Sequence, residues 1–306
     1  MRQHKLALCK THYLEWVPTQ VERTIKRYRM FTKQDRILVA VSGGKDSLSL
    51  WDILQRLGYT VDGMYIGLGI DEGLRYSESS QDHTTAFAKE HGLNLQVIDI
   101  KVEYGVTIPE LAIRTHRGRN KPCSACGVTK RHVMNRLAVD QSYSALATGH
   151  NLDDEAATLF GNTLSWSGPY LTHQGPVLEA DHRGFIRKVK PLCRIYEREM
   201  AAYAFLRGIA YIQDECPFAS DANSIYNKKI MNNLEADRPG AKLHFYLAFL
   251  QARKSGLFSA SADDRDVQIH NCPQCGQPTT APGLCAFCRM FDKAGTAIHP
   301  LAMNKL

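Results

Sequence analysis

Six residues, Ser42-Gly43-Gly44-Lys45-Asp46-Ser47, stand directly behind the apolar run Ile37-Leu38-Val39-Ala40-Val41 and form a candidate phosphate-gripping turn. Glycines let the backbone approach an anion closely, a following helix offers unpaired N–H groups, and Lys45 supplies a cation. A Walker loop needs a glycine, four residues and then Gly-Lys-Ser/Thr, whereas here Gly43-Gly44-Lys45 runs into Asp46. The hexapeptide therefore predicts a nucleotide pocket of another kind. A glycine-rich turn that binds nothing is the alternative, and a full hexapeptide behind a buried strand argues against it.

Nine cysteines carry the second body of chemistry. Cys272-Pro273-Gln274-Cys275 and Cys285-Ala286-Phe287-Cys288 are two Cys-x-x-Cys knuckles, and four thiolates so spaced can close a tetrahedral zinc site that folds a module too small for its own core. A rubredoxin-type iron site is the rival. Cys123-Ser124-Ala125-Cys126 has no second knuckle, and Cys216, set before Pro217 in a polar stretch, is the expected third ligand. Three thiolates leave one iron of a 4Fe-4S cluster open to an exogenous atom. A catalytic thiol pair or a zinc site remains as an alternative for Cys123 and Cys126. Cys193 lies in an apolar segment and reads as a small buried hydrophobe. Cys9 and His12 are half of a Cys/His site.

A third motif, Gly149-His150-Asn151-Leu152-Asp153-Asp154-Glu155, follows the apolar Ala145-Leu146-Ala147. Carboxylates in a first helical turn are ordinary caps, but opposite a phosphate turn they could hold Mg2+ on ATP or handle a proton, and Asp154 is the favoured one. Lys130, four residues after Cys126, is placed to offset negative charge near the thiols, or equally to contact RNA backbone.

The elements that must position these motifs alternate. Strands are expected at 36–41, 61–68, 94–100 and 143–148, and helices at about 46–57, 79–90, 127–140, from 153, 197–207 and 241–254. An amphipathic helix with Val21 and Ile25 on its apolar side is expected from about 17 to 31, with Pro18 in its first turn. The stretch 162–184 reads as a long surface loop. Strands spaced by helices predict an α/β fold with a doubly wound parallel sheet, whose ligand lies beyond the carboxyl ends of the strands. Three segments follow: 1–30 with the Cys9/His12 half-site and a basic helix, 31–258 with the nucleotide and iron–sulfur motifs, and 259–306, a small zinc-binding module behind a Ser/Ala/Asp linker at 259–266.

Composition narrows the partner. The 306 residues carry a net charge of +7, and from Leu111 to Arg131 there is no acidic residue, whereas Arg114, Arg117, Arg119, Lys121, Lys130 and Arg131 are all present. ATP alone needs less positive surface, so RNA is the expected partner. No apolar stretch is long enough for a membrane span and no leader is evident, so a cytoplasmic chain with reduced thiols is expected.

Ser42–Ser47 resembles the PP-loop of enzymes that cleave ATP between the α and β phosphates to adenylate a carbonyl oxygen. With CSACG at 123–127, TGHNLDDEA at 148–156, ECP at 215–217 and CAFCR at 285–289, the chain is similar along nearly all its length to the TtuA family of tRNA 2-thiolation enzymes. The resemblance implies a PP-loop fold of the HUP type. It implies ATP contacts at Ala40, Ser42, Lys45, Ser47, Ile66, Gly149 and Asp154, beside Gly43, Gly44 and Asp46 of the turn itself. Cluster ligands would be Cys123, Cys126 and Cys216, and catalytic residues Lys130 and Asp154. Such enzymes adenylate the C2 oxygen of a tRNA pyrimidine, after which cluster-bound sulfide attacks C2 and AMP leaves. A ubiquitin-like thiocarboxylate carrier as sulfur donor and a homodimer are further implications. Of the N-terminal zinc finger in that family only the second half, Cys9 and His12, is here. A PP-loop ligase or amidating enzyme needs no thiols, and a non-catalytic zinc-ribbon RNA binder needs no Lys45, so both fit these residues less well.

Overall fold

The computed structural model describes residues 2–71, 75–117, 122–180, 184–219, 223–258 and 269–296. The expected linker at 259–266, and Arg119 and Lys121 of the basic window, lie outside the described residues.

After a short 3-10 turn, helix α1 spans Lys10–Arg27. It starts earlier than the apolar pattern from Val17 suggests, because Tyr13, Val17, Val21 and Ile25 form one stripe at four-residue spacing and all four are buried. Pro18 consequently sits in the helix interior rather than in its first turn. There follow β1 (Arg36–Ala40), α2 (Lys45–Arg56), β2 (Thr60–Gly67), α3 (Tyr76–Glu90), β3 (Leu95–Asp99), α4 (Ile100–Tyr104) and α5 (Ile108–Thr115). Next come α6 (Cys123–Asp140), β4 (Ala145–Thr148), α7 (Leu152–Leu164), α8 (Gly168–His173), β5 (Val177–Leu178), β6 (Lys188–Val189) and α9 (Glu197–Arg207). The chain continues through α10 (Asn223–Asp237), α11 (Ala241–Lys254), β7 (His270–Asn271), β8 (Pro278–Thr279) and α12 (Ala286–Lys293).

The main sheet has the order β3-β2-β1-β4-β6-β5. Its first five strands run parallel, and β5 joins the edge antiparallel to β6. The doubly wound parallel sheet is therefore present with one reversed edge strand. That strand and α8 occupy the stretch expected to be a loop: Gly168-Pro169 starts a short helix, and Val177 pairs with Val189.

Strand alternation separates two cores. Ile37, Val39 and Val41 face α1, α2, α9 and α11, while Leu38, Met64 and Ile98 face α5, α6 and the C-terminal module. Phe287 and Phe291 of α12 are fully buried in this second core, with Phe287 stacked on His132 of α6 at 3.7 Å between ring centroids. The cysteine-bearing helix is thereby held between the sheet and the C-terminal module.

Candidate active site

The phosphate turn lies at the carboxyl end of β1. The first bond within α2 is Leu48 N–H donating to Gly44 O at 3.2 Å, which leaves the N–H groups of Lys45, Asp46 and Ser47 without a helical partner. The hydroxyl of Ser47 closes the turn, accepting from Ser42 N at 3.1 Å and donating to Gly44 O at 3.0 Å. Two glycines are sterically required. Gly43 has φ +75° and its missing Cβ would run into the carbonyl of Ser80. A Cβ on Gly149 would come within 2.9 Å of Ser47 N, so the β4 motif can abut the turn only as glycine.

A cavity of about 340 Å³ opens above these strand ends. Ala40, Ser42, Gly44, Asp46 and Ser47 line it together with Ile66 at the end of β2, Gly149, and Lys130 from α6. Of the residues expected from the sequence these eight line the cavity, whereas Lys45 and Gly43 belong to the same turn without lining it and Asp154 lies outside the lining. Tyr76 and Met134 complete the side towards the cysteines.

The three acidic residues that open α7 divide their tasks. Asn151 caps the helix by accepting from Asp153 N and Asp154 N, and the Asp154 carboxylate accepts in turn from Asn151 N–H at 3.0 Å. Glu155 is buried against Lys190 at 2.7 Å. Asp153 is buried too, ion-paired to Lys242, and accepts from the N–H of Glu197 at 2.9 Å, which seats the start of α9. Asp154 turns outward and pairs with Lys228 of α10 at 2.6 Å.

Glu197 and Lys228 were not among the sequence candidates. Lys45 contacts Glu197 at 2.8 Å and Asp46 at 3.1 Å, and Lys228 contacts Glu197 at 3.1 Å, so an ion-pair chain Lys45–Glu197–Lys228–Asp154 links the phosphate turn to the start of α7. Helix α9 is clamped for this purpose at its other end, where Arg207 grips the fully buried Asp52 of α2 with two bonds of 2.9 and 3.1 Å. Burial by itself favours a neutral Glu197, but the Lys45 hydrogen bond and the Lys228 charge outweigh it and hold the carboxyl down to about 2. Asp46 is shifted the other way: burial raises it and Lys45 offsets only part of the rise.

Because the Glu197 carboxyl lies below its ordinary value of 4.5, its ion pairs stabilise the fold fully above that value and are lost as pH falls from 4.5 towards 2. Glu197→Gln should accordingly lower the thermal midpoint at pH 7, by progressively less below pH 4.5, with little difference left only near pH 2. Melting curves of both proteins between pH 7 and 2 test this, and parallel curves across the range would remove Glu197 from the acid limb.

Cys123 and Cys126 occupy the first turn of α6, which begins four residues earlier than expected; three residues apart, they lie on one helical face. All nine cysteines are free thiols. Cys123 Sγ lies 3.6 Å from the carbonyl of Phe218, two residues beyond Cys216. Burial pushes the Cys126 thiol up, Lys130 opposes that, and the Cys216 and Cys123 thiols close by add to it. The structure therefore gathers Cys123, Cys126, Cys216 and Lys130 at the Tyr76 side of the cavity. Among the described residues, though, only Cys272, Cys275, Cys285 and Cys288 bring their sulfurs all within 4.8 Å of one another. Three thiolates and a cation gathered at the Tyr76 side fit the donor set of a cluster with one open iron.

The quartet has the compactness of a one-ion site. Cys275 and Cys285 sulfurs are 3.8 Å apart, the edge length of a tetrahedron with metal–sulfur bonds of about 2.3 Å. Knuckle amides point at sulfur, Cys285 N to Cys272 Sγ at 3.3 Å and Cys288 N to Cys285 Sγ at 3.4 Å. Cys193 is fully buried, its thiol pushed up to about 12 by burial and the nearby Glu155, so it is unsuited to ligation. Cys9 and His12 touch at 3.2 Å on the surface. Among the described residues no helix is long and apolar enough to cross a membrane.

A phosphate turn at a parallel strand end, a nucleotide-sized cavity and a second strand-end motif packed against the turn define a PP-loop ATP-binding protein. Residues 17–227 match the PP-loop domain family. A tRNA-5-methyluridine(54) 2-sulfurtransferase of Thermus thermophilus is 48% identical over 292 residues, covering 95% of this chain and 87% of the relative. Its counterpart from Pyrococcus horikoshii is 42% identical over 287 residues, covering 94% and 88%. The chain belongs to this family of tRNA 2-thiolation sulfurtransferases, the TtuA family. Among solved structures, the U34-tRNA thiolase NcsA of Methanococcus maripaludis, with its [4Fe-4S] cluster, superposes with a TM-score of 0.74 at 22% identity, over 95% of this chain and 91% of that one, and so shares the fold.

Proposed function

We propose that the chain is an ATP-dependent tRNA sulfurtransferase that adenylates the C2 oxygen of 5-methyluridine at position 54 and replaces that oxygen with sulfur. The observation that carries this reading is the double position of Lys130, which lines the nucleotide cavity and also faces the Cys126 thiol. Activation and sulfur delivery can thus meet at one carbon.

In this reading the free N–H groups of Lys45, Asp46 and Ser47 and the Lys45 ammonium hold the phosphates of ATP. Ala40, Ile66 and Gly149 flank the nucleoside. Mg2+ would be held by Asp46, whose Oδ1 is buried without a partner, and by Asp154. Lys130 would be the cation that favours developing negative charge, and Asp154 the carboxylate that handles a proton. Cys123, Cys126 and Cys216 would hold a 4Fe-4S cluster, and zinc would occupy the terminal quartet. When bound, the cluster supplies an open iron that can carry the incoming sulfur. A thiocarboxylate carrier as donor and a homodimer as working form rest on the family likeness.

The test uses anaerobically purified, iron–sulfur-loaded full chain with ATP, Mg2+, sulfide and an otherwise mature tRNA lacking the thio group. AMP release together with one 2-thiolated nucleoside at position 54 is expected by nucleoside mass spectrometry. Thiolation at position 34 instead would overturn the positional assignment, and no thiolated nucleoside would overturn the reading.

A further inference from the structure

A second cavity, of about 230 Å³, lies between the carboxyl end of α5 and the helix α12 of the C-terminal module. Thr115, Arg117, Arg289 and Lys293 supply its polar lining. Arg117 Nε donates to Ser124 Oγ at 2.9 Å, and Lys293 Nζ donates to the Thr115 carbonyl at 3.0 Å. The guanidinium of Arg289 is exposed, and among the described residues none of the three cations is ion-paired with a carboxylate. Three unneutralised cations around one hollow repel each other until an anion enters.

We propose that this hollow is a seat for a backbone phosphate of the tRNA substrate, the point at which the C-terminal module grips the RNA beside the cysteine helix. The inference rests on the tRNA-thiolation reading above. Ser124, which fixes Arg117, sits between Cys123 and Cys126, so a phosphate held here adjoins the thiols. Cys285 and Cys288 bracket the first turn of α12, and Arg289 follows directly, so the metal-binding knuckle sets the position of the guanidinium. RNA is favoured over an acidic protein because the sequence from 111 to 131 holds six Lys and Arg residues and no Asp or Glu, more positive charge than one acidic side chain requires.

The experiment measures binding of full-length tRNA to zinc-replete full chain by fluorescence anisotropy between 50 and 300 mM KCl, for wild type, Arg289→Ala/Lys293→Ala and Arg289→Lys. Both altered side chains are exposed, and zinc content with ATP binding in the absence of tRNA checks that each variant is intact. The double variant should bind about tenfold more weakly at 100 mM salt, with its log–log salt slope reduced by about 1, and Arg289→Lys should keep most of the affinity. Unchanged affinity and slope in the double variant overturn the seat. The same result accompanied by slower sulfur transfer from a carrier protein would assign the hollow to an acidic protein and also overturn the RNA assignment. Absence of tRNA binding by wild type would instead strike the functional reading on which the seat depends.

Discussion

Lys45→Met is expected to lower ATP-dependent AMP formation by about 10²- to 10³-fold while leaving the thermal midpoint within a few degrees of wild type. Burial in the turn would weaken the ammonium, but Asp46 and Glu197 overcompensate and raise it, so Lys45 remains a full cation beside the free N–H groups of α2. A preorganised cation in a partly dry site contributes most where phosphate charge builds up on the departing pyrophosphate. Its contribution to stability is small by comparison, because its ion pairs are solvent-accessible on one side. Lys45 also contacts Glu197, so a phosphate that takes the lysine would compete with one carboxylate, and Lys228 would still neutralise Glu197. Lys45→Arg should recover part of the rate. A Lys45→Met protein of wild-type activity would remove the turn from phosphate binding.

What was legible in the sequence was local. The phosphate turn and the two terminal knuckles are each short enough that residue type and spacing dictate the geometry, and the structure places each as expected, whereas the cap of α7 is Asn151 rather than one of the carboxylates that were candidates for it. The start of α6 was obscured because Gly127 stands inside the helix, at a cost of about 1 kcal/mol relative to alanine, and so suggests a loop. Burial of Ala125, Thr129, Val133 and Leu137 against the second core outweighs that preference. Helix α10 escaped detection for a related reason: Asn223–Asp237 is rich in Asn and Lys and buries only Met231 and Glu235, so it lacks an apolar stripe. With it went Lys228. Glu197 lies 152 residues from the Lys45 it contacts, a separation across which no spacing rule operates; the packing of α9 on α2 in the first core, the Asp52–Arg207 clamp and the Asp153 bond bring them together.

The other large effect is expected at Cys216, the thiol that lacks a motif of its own. Cys216→Ala should remove the broad visible absorbance of the anaerobically prepared protein and lower tRNA thiolation more than about 100-fold, with nucleotide binding retained. The separation of effects follows from placement. Cys216 lies in the loop between Asp214 and Ala219, held by the Ala219 N–H bond to its carbonyl at 2.8 Å, and does not line the nucleotide cavity. Cys216 is only half-buried at the margin of the second core, which is filled by Ala125, Val133 and Leu137 of α6 and Phe287 and Phe291 of α12, so the fold should survive the change. The variant also separates the chemistries the sequence left open. A Cys123/Cys126 pair working by thiol–disulfide exchange needs no third sulfur and would keep its activity in Cys216→Ala, whereas a three-thiolate site loses its colour and its thiolation together. Cys193→Ala supplies the control, since that fully buried thiol should affect stability and neither readout. Undiminished absorbance in Cys216→Ala would remove the residue from the cluster site and leave the third ligand to be found elsewhere.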